Sequence, residues 1–177
     1  MDQDIQANDK KHIMFDWFAK NGGLFEGFDV PVKFPGGEIG AAANRDLPQR
    51  TAIMSIPGKC IITVRKALES ELKPIFAKHA QLFSDEHTSD LWSDVMALYL
   101  LFELLKKENS FFYPFLEWLP KSDFTLVDWP MEKVKEFHSP LLEENTILLG
   151  EKLKKRYQTM KSEIIDKEEV FLQFNAS

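Results

Sequence analysis

Every strand-like run in this 177-residue sequence lies between Leu24 and Val64, and the chain from Arg65 onward reads as helical. That order restricts the fold more than any single motif does. Strands followed by helices, without alternation, describe an α+β protein, whereas a parallel sheet with crossover helices needs the two to alternate. Gly and Pro cut the strand-like stretch into short pieces. Leu24 to Val30 and Val32 to Phe34 alternate in part, Pro35-Gly36-Gly37 turns, and Ile39 to Ala43 is small and extended. Ala52 to Ile56 and Cys60 to Val64 flank Pro57-Gly58-Lys59. The pattern predicts a small sheet of short strands with tight turns. Ahead of it, Ile13, Met14, Trp17 and Phe18 share one face of a helix that Asn21-Gly22-Gly23 stops, since glycine accepts the left-handed conformation that closes a helix.

The helical part begins with Arg65 to Lys78, reset at Pro74. A polar loop follows, in which the hydroxyl of Thr88 or Ser89 can cap the next helix. Asp90 to Lys107 carries the strongest pattern. Leu91, Val95, Leu98, Phe102 and Leu105 step by four, three, four and three, and Trp92, Met96, Tyr99 and Leu100 widen the apolar face. This predicts a central buried helix. Asn109 to Pro120 is aromatic and bounded by prolines, and Pro130 opens a short helix. In the last region, Leu141 to Phe174, the residues Leu149, Leu153, Tyr157, Met160 and Ile164 form a stripe opposite Lys and Glu.

The net charge of −6 argues against a nucleic-acid partner, because phosphate binding needs a basic face. The single cysteine, Cys60, excludes an internal disulfide and a cysteine-based zinc cluster, and it suits a reducing compartment. The apolar run Val95 to Phe102 falls far short of the ~20 residues that cross a bilayer. The first eleven residues are polar and of mixed charge, unlike a signal or transit peptide. The expectation is a soluble intracellular protein, most simply cytoplasmic, without membrane insertion.

His79 and His87 flank Asp85 and Glu86, but the spacing fits no metal cage and reads as a polar loop. Cys60 lies in an apolar run and reads as a small buried side chain rather than a nucleophile. Gly36-Gly37-Glu38-Ile39-Gly40 is not a phosphate loop, since no Lys-Ser or Lys-Thr follows, and no helix opens after it as a dinucleotide fingerprint requires. Phe111, Phe112, Tyr113, Phe115 and Trp118 read as core before they read as a ligand platform. Lys152, Lys154, Lys155 and Arg156 read as a solvated helix face.

Four stretches, in order, resemble the N-terminal half of SET-domain protein methyltransferases. The branch is the one containing the Rubisco large-subunit lysine methyltransferase and the actin-histidine methyltransferase. The first is Phe15-Asp16-Trp17-Phe18 to Asn21-Gly22-Gly23 with Glu26-Gly27-Phe28. The second is Ile39-Gly40 through Ala43-Asn44-Arg45-Asp46-Leu47, where the family has a Gly-x-Gly turn, a strand and Ala-x-Arg-Asp-Ile. The third is Ile53-Met54-Ser55-Ile56-Pro57 with Ile61-Ile62-Thr63-Val64. The fourth and most specific is Asn109-Ser110-Phe111-Phe112-Tyr113-Pro114-Phe115-Leu116-Glu117-Trp118-Leu119-Pro120.

The resemblance implies a SET-type β part at residues 12–84 behind a flexible tail at 1–11. A helical region like the SET insertion follows at 85–177, and the C-terminal SET half is absent. It implies S-adenosylmethionine as cofactor, held at Glu38, Ile39 and Gly40, with Glu38 standing where the family has its first glycine. It also implies methylation of a lysine or histidine side chain of a protein. The family's Asn-His pair is missing, and Tyr99, Tyr113 and Tyr157 all lie outside a late strand. The chain alone therefore reads as incomplete or inactive, with a non-catalytic docking or structural subunit as the alternative. A half of this kind leaves apolar faces exposed, which favours a protein partner or oligomer.

Overall fold

A computed structural model describes residues 13–83, 91–119 and 125–174. The tail expected at 1–11, the capping Thr88 or Ser89, and His87 with Asp85 and Glu86 lie outside the described residues. The chain packs as two units. The described residues up to Thr63, with Phe111–Trp118, make the first, and the described residues of Val64–Ser110 and from Leu119 onward make the second. The sequence reading divides the chain by element type at residue 84. The units divide it by packing, after Thr63, and return Phe111–Trp118 to the strands.

In the first unit, helix α1 spans residues 13–20 and buries Met14 and Phe18. The Asn21 side chain donates to the Trp17 carbonyl at 2.8 Å, and Gly22 takes a φ of +88°. Gly23 is needed for a different reason, because a Cβ there would stand 2.2 Å from the Phe18 ring. The strands then form two antiparallel pairs, β1 (Leu24–Phe25) with β4 (Met54–Ser55), and β2 (Phe28–Lys33) with β3 (Ile39–Ala43). Leu24 faces Ser55, and Phe28 faces Ala43. The β2–β3 register shifts between Asp29 and Val32, around a cis Val30–Pro31 bond. The Phe25 ring lies 5.0, 4.6 and 5.4 Å from the rings of Phe15, Phe18 and Phe28. Residues 111–118 join this unit through aromatic contacts. Trp17 meets Phe111 at 5.4 Å, and Phe15 meets Trp118, on helix α5 (Tyr113–Trp118), at 6.3 Å.

Two strand expectations need correction. Cys60 to Val64 is not a strand. Gly58–Cys60 forms a 3₁₀ turn in which the Cys60 N–H donates to the Pro57 carbonyl at 2.8 Å, so that donor is used locally. Val64 already opens a helix. Of Ala52 to Ile56, only Met54–Ser55 forms a strand ladder, with the two-residue β1.

The second unit starts with α2 (Val64–Glu69) and α3 (Lys73–Lys78). Ser70 separates them: its hydroxyl donates to the Ala67 carbonyl and accepts from the Leu72 N–H. Pro74 sits in the first turn of α3, where a missing N–H costs nothing. The long α4 (Leu91–Leu105) buries Val95, Leu98, Tyr99 and Phe102 but leaves Trp92 55% exposed, so it is buried along one face and not all round. Helix α6 (Met131–Lys135) inserts Val134, and α7 (Pro140–Met160) follows, capped by Ser139. A π-helical turn at Lys161–Ile165 and α8 (Glu169–Leu172) close the chain, burying Ile164 and Phe171. The rings of Phe171 and Phe174 meet Phe102 edge-on at 5.9 and 6.1 Å. The Leu149, Leu153, Tyr157 stripe of α7 stays about half exposed, and only its end at Ile164 reaches the core.

Several polar groups of this unit are paired. Buried Glu103 accepts from the Ser110 hydroxyl at 2.5 Å and from Lys106 Nζ at 3.2 Å. Burial, followed by the neighbouring Glu103 charge, pushes the Tyr99 hydroxyl up to about 12. His79 Nε2 and Lys78 Nζ both lie 2.8 Å from Glu168 Oε1, and these hydrogen bonds, His79 first, hold the Glu168 carboxyl below its ordinary value.

Two outcomes follow for stability. Phe102→Ala lowers unfolding free energy by about 3–5 kcal/mol in denaturant melts, whereas Trp92→Ala stays within ~0.5 kcal/mol. Because the folded-state pKa of Glu168 is lowered, its stabilisation is present above the ordinary carboxylate value of 4.5 and is lost as pH falls below it. Glu168→Gln therefore flattens the acid limb of a pH–stability curve.

Candidate functional site

The hairpin of β2 and β3 carries the three residues that the sequence singles out. Phe34 follows β2, and the chain turns through Pro35-Gly36-Gly37. The Gly37 N–H donates to the Phe34 carbonyl at 2.9 Å, and the Phe34 N–H donates to the Glu38 carbonyl at 2.9 Å. Gly37 has a φ of +95° with nothing within 4 Å of a notional Cβ, so the backbone here is bare. Glu38 is exposed and folds back over the turn, where a Cβ on Gly36 would meet its carboxylate at 2.4 Å. Among the described residues Glu38 makes no ion pair. Ile39 begins β3 opposite Lys33, and Gly40 lies opposite Val32 with the Phe34 ring beside it, 3.2 Å from where a Cβ would stand. Glu38, Ile39 and Gly40 thus stand together at the hairpin tip.

The other end of the hairpin is clasped. Arg45 Nη2 donates to Glu26 Oε1 at 2.5 Å, the Asn44 side chain donates to Asp29 Oδ1 at 3.1 Å, and the Asn44 N–H donates to the Gly27 carbonyl at 3.1 Å. The Glu26 N–H donates to the Ile53 carbonyl at 2.9 Å, which ties the clasp to the β1–β4 pair. Sequence reasoning did not find this clasp. Both halves were visible, in Glu26-Gly27-Phe28 and Asn44-Arg45-Asp46, but nothing in the sequence states that residues 19 apart pair.

A separate apolar cavity of about 420 Å³ lies in the same unit, walled by residues that include Trp17, Phe25, Met54, Cys60, Ile61 and Trp118. It does not include the hairpin tip. Cys60 lies in its wall with no histidine among the described lining residues. Among the described residues, no three His, Cys, Asp or Glu side chains gather as a metal site, and no helix is long and apolar enough to cross a membrane.

This geometry has counterparts. The chain is 28% identical over 126 residues to actin-histidine N-methyltransferase of Dasypus novemcinctus, and 27% identical over 126 residues to that of Homo sapiens. Each match covers 71% of this chain and 20% of the relative. The solved structure of Rubisco LSMT bound to sinefungin and monomethyllysine superposes with a TM-score of 0.71 at 20% identity, covering 90% of this chain and 35% of that one. The chain has part of a SET-type methyltransferase fold. It resembles the N-terminal portion of these enzymes, and it spans about a fifth of the length of the curated relatives it matches. No family model matches it.

The clasp makes one outcome measurable. Arg45→Ala speeds amide hydrogen exchange across Ile39–Ala43, by less than about fivefold because the ion pair is half exposed and screened. Exchange in α7 is the internal control and stays unchanged.

Proposed function

We propose that this chain supplies one wall of the S-adenosylmethionine site of a SET-type protein N-methyltransferase, with Glu38, Ile39 and Gly40 as the contacting residues. The observation that carries the reading is the hairpin tip. Bare glycine backbone lets a ligand approach closely, and a carboxylate without an ionic partner beside it suits the cofactor's ammonium or hydroxyl groups. The residues fit the cofactor in that limited sense. When bound, the cofactor supplies a methyl group on a positively charged sulfur. The chain's own contribution is to hold and orient, which is where most of the acceleration in such a displacement arises. The acceptor is a lysine or histidine side chain of a protein. The sequence holds no Asn-His pair, so the 177 residues carry the wall without the whole machinery.

A second reading has its own support. Leu149, Leu153 and Tyr157 on α7 leave an apolar stripe about half exposed, as in a subunit that docks on a protein without turnover.

One titration separates the two. With sinefungin added to the full chain, the wall reading expects slowed amide exchange at residues 38–43, lost in Gly40→Val, where the added side chain crowds Phe34. Tritiated S-adenosylmethionine yields no methylated protein with this chain alone. Unchanged exchange at 38–43 under saturating ligand would leave the docking reading.

A further inference from the structure

The second unit carries a cleft of about 630 Å³ between the 3₁₀ turn Leu126–Asp128 and α6, walled by Asp128, Trp129, Pro130, Lys133, Glu136 and Phe137. Local structure brings these residues together. Pro130 stands just before α6, Val134 on that helix is fully buried and anchors it, and Lys133, Glu136 and Phe137 are spaced at i, i+3 and i+4. Trp129 and Phe137 meet across the short helix with ring centroids 6.2 Å apart and planes inclined at 31°. They remain 38% and 53% exposed. Each ring thus keeps part of its apolar surface in water at the cleft, surface that a ligand covering it would bury favourably.

The charges at the rim narrow what such a pair can hold. Among the described lining residues, Asp128 and Glu136 bring two carboxylates against the ammonium of Lys133. Thr125 donates its hydroxyl to Asp128 Oδ2 at 2.5 Å and fixes that carboxylate in place. Glu136 makes no ion pair among the described residues. An anion would face two carboxylates here, and a neutral apolar ligand would strip water from them without replacing it. A cation meets both demands, because aromatic faces attract positive charge and the carboxylates complete the neutralisation. A bulky alkylammonium suits the rings better than a bare ammonium, which is strongly hydrated.

We propose that this cleft binds an organic cation with an alkylated ammonium head, seated against Trp129 and Phe137 and neutralised by Asp128 and Glu136. Two rings and two partly solvated carboxylates give an affinity with Kd on the order of 1 mM.

The test uses the full chain and two probes of one shape, choline and its uncharged carbon isostere 3,3-dimethylbutan-1-ol. The readout is the indole N–H resonance of Trp129, assigned by its loss in Trp129→Phe. Choline shifts that resonance saturably, and the isostere binds at least about tenfold more weakly. Glu136→Gln, which leaves both rings in place, weakens choline binding severalfold, and added salt weakens it further. A short peptide carrying trimethyllysine is the third arm. Tighter binding than choline assigns the cation to a protein partner, and equal binding assigns it to a free small molecule; both support the site. Equal affinity for choline and the isostere would overturn the proposal, as would an unmoved Trp129 resonance at ~50 mM choline, far above that constant.

Discussion

The ring of Phe25 is the point on which the N-terminal unit depends. It packs against Phe15 and Phe18 of α1 and Phe28 of β2, so one side chain ties the opening helix to both strand pairs. A two-residue strand such as β1 cannot hold itself in place with backbone hydrogen bonds alone, and an isolated hairpin is marginal in water. The aromatic cluster supplies the burial that the ladder lacks, since such rings contribute both area and a preferred edge-on geometry. With β1 held, β4 can pair with it, and Glu26 is positioned to reach Arg45. The clasped hairpin and its bare glycine tip are consequences of that anchor.

In the helical unit, apolar contact is joined by paired charge. Glu103 and Glu168 are both well covered, and each accepts hydrogen bonds from more than one group. A covered carboxylate without such partners would be strongly destabilising, whereas a paired one costs less and specifies which elements meet. Arg156 of α7 reaches Asp94 of α4 in the same way, so part of the basic run 152–156 is committed to packing rather than to solvent.

Much of this architecture was legible in the residues. The helix at 13–20, its glycine stop, the hairpin turning at Pro35-Gly36-Gly37, the reset at Pro74 and the apolar face of α4 follow from periodicity and from the special backbone preferences of Gly and Pro. Glu38, Ile39 and Gly40 were also legible as a turn-to-strand segment. The misses share a cause. Cys60 to Val64 has strand-forming residues, yet the Pro57-Gly58 turn takes its first donors, and strand propensity yields to such context. The stripe on α7 has the spacing of a core face, but spacing says which residues share a side and not whether anything covers it. Trp129 and Phe137 give no local signal at all, because eight positions separate them and only a turn and a short helix bring the rings together.

The sequence by itself determined the order of strands before helices, the places where the chain must turn, and the segments that resemble SET-type methyltransferases. These are local properties, set by side-chain period and by backbone freedom at single residues. Only the tertiary structure decided that Phe111–Trp118 packs with the strands, that Arg45 clasps Glu26, and that two aromatics stand open beside two carboxylates. Each of those is a meeting of distant residues, and it exists only once burial elsewhere has offset the entropy of bringing them together.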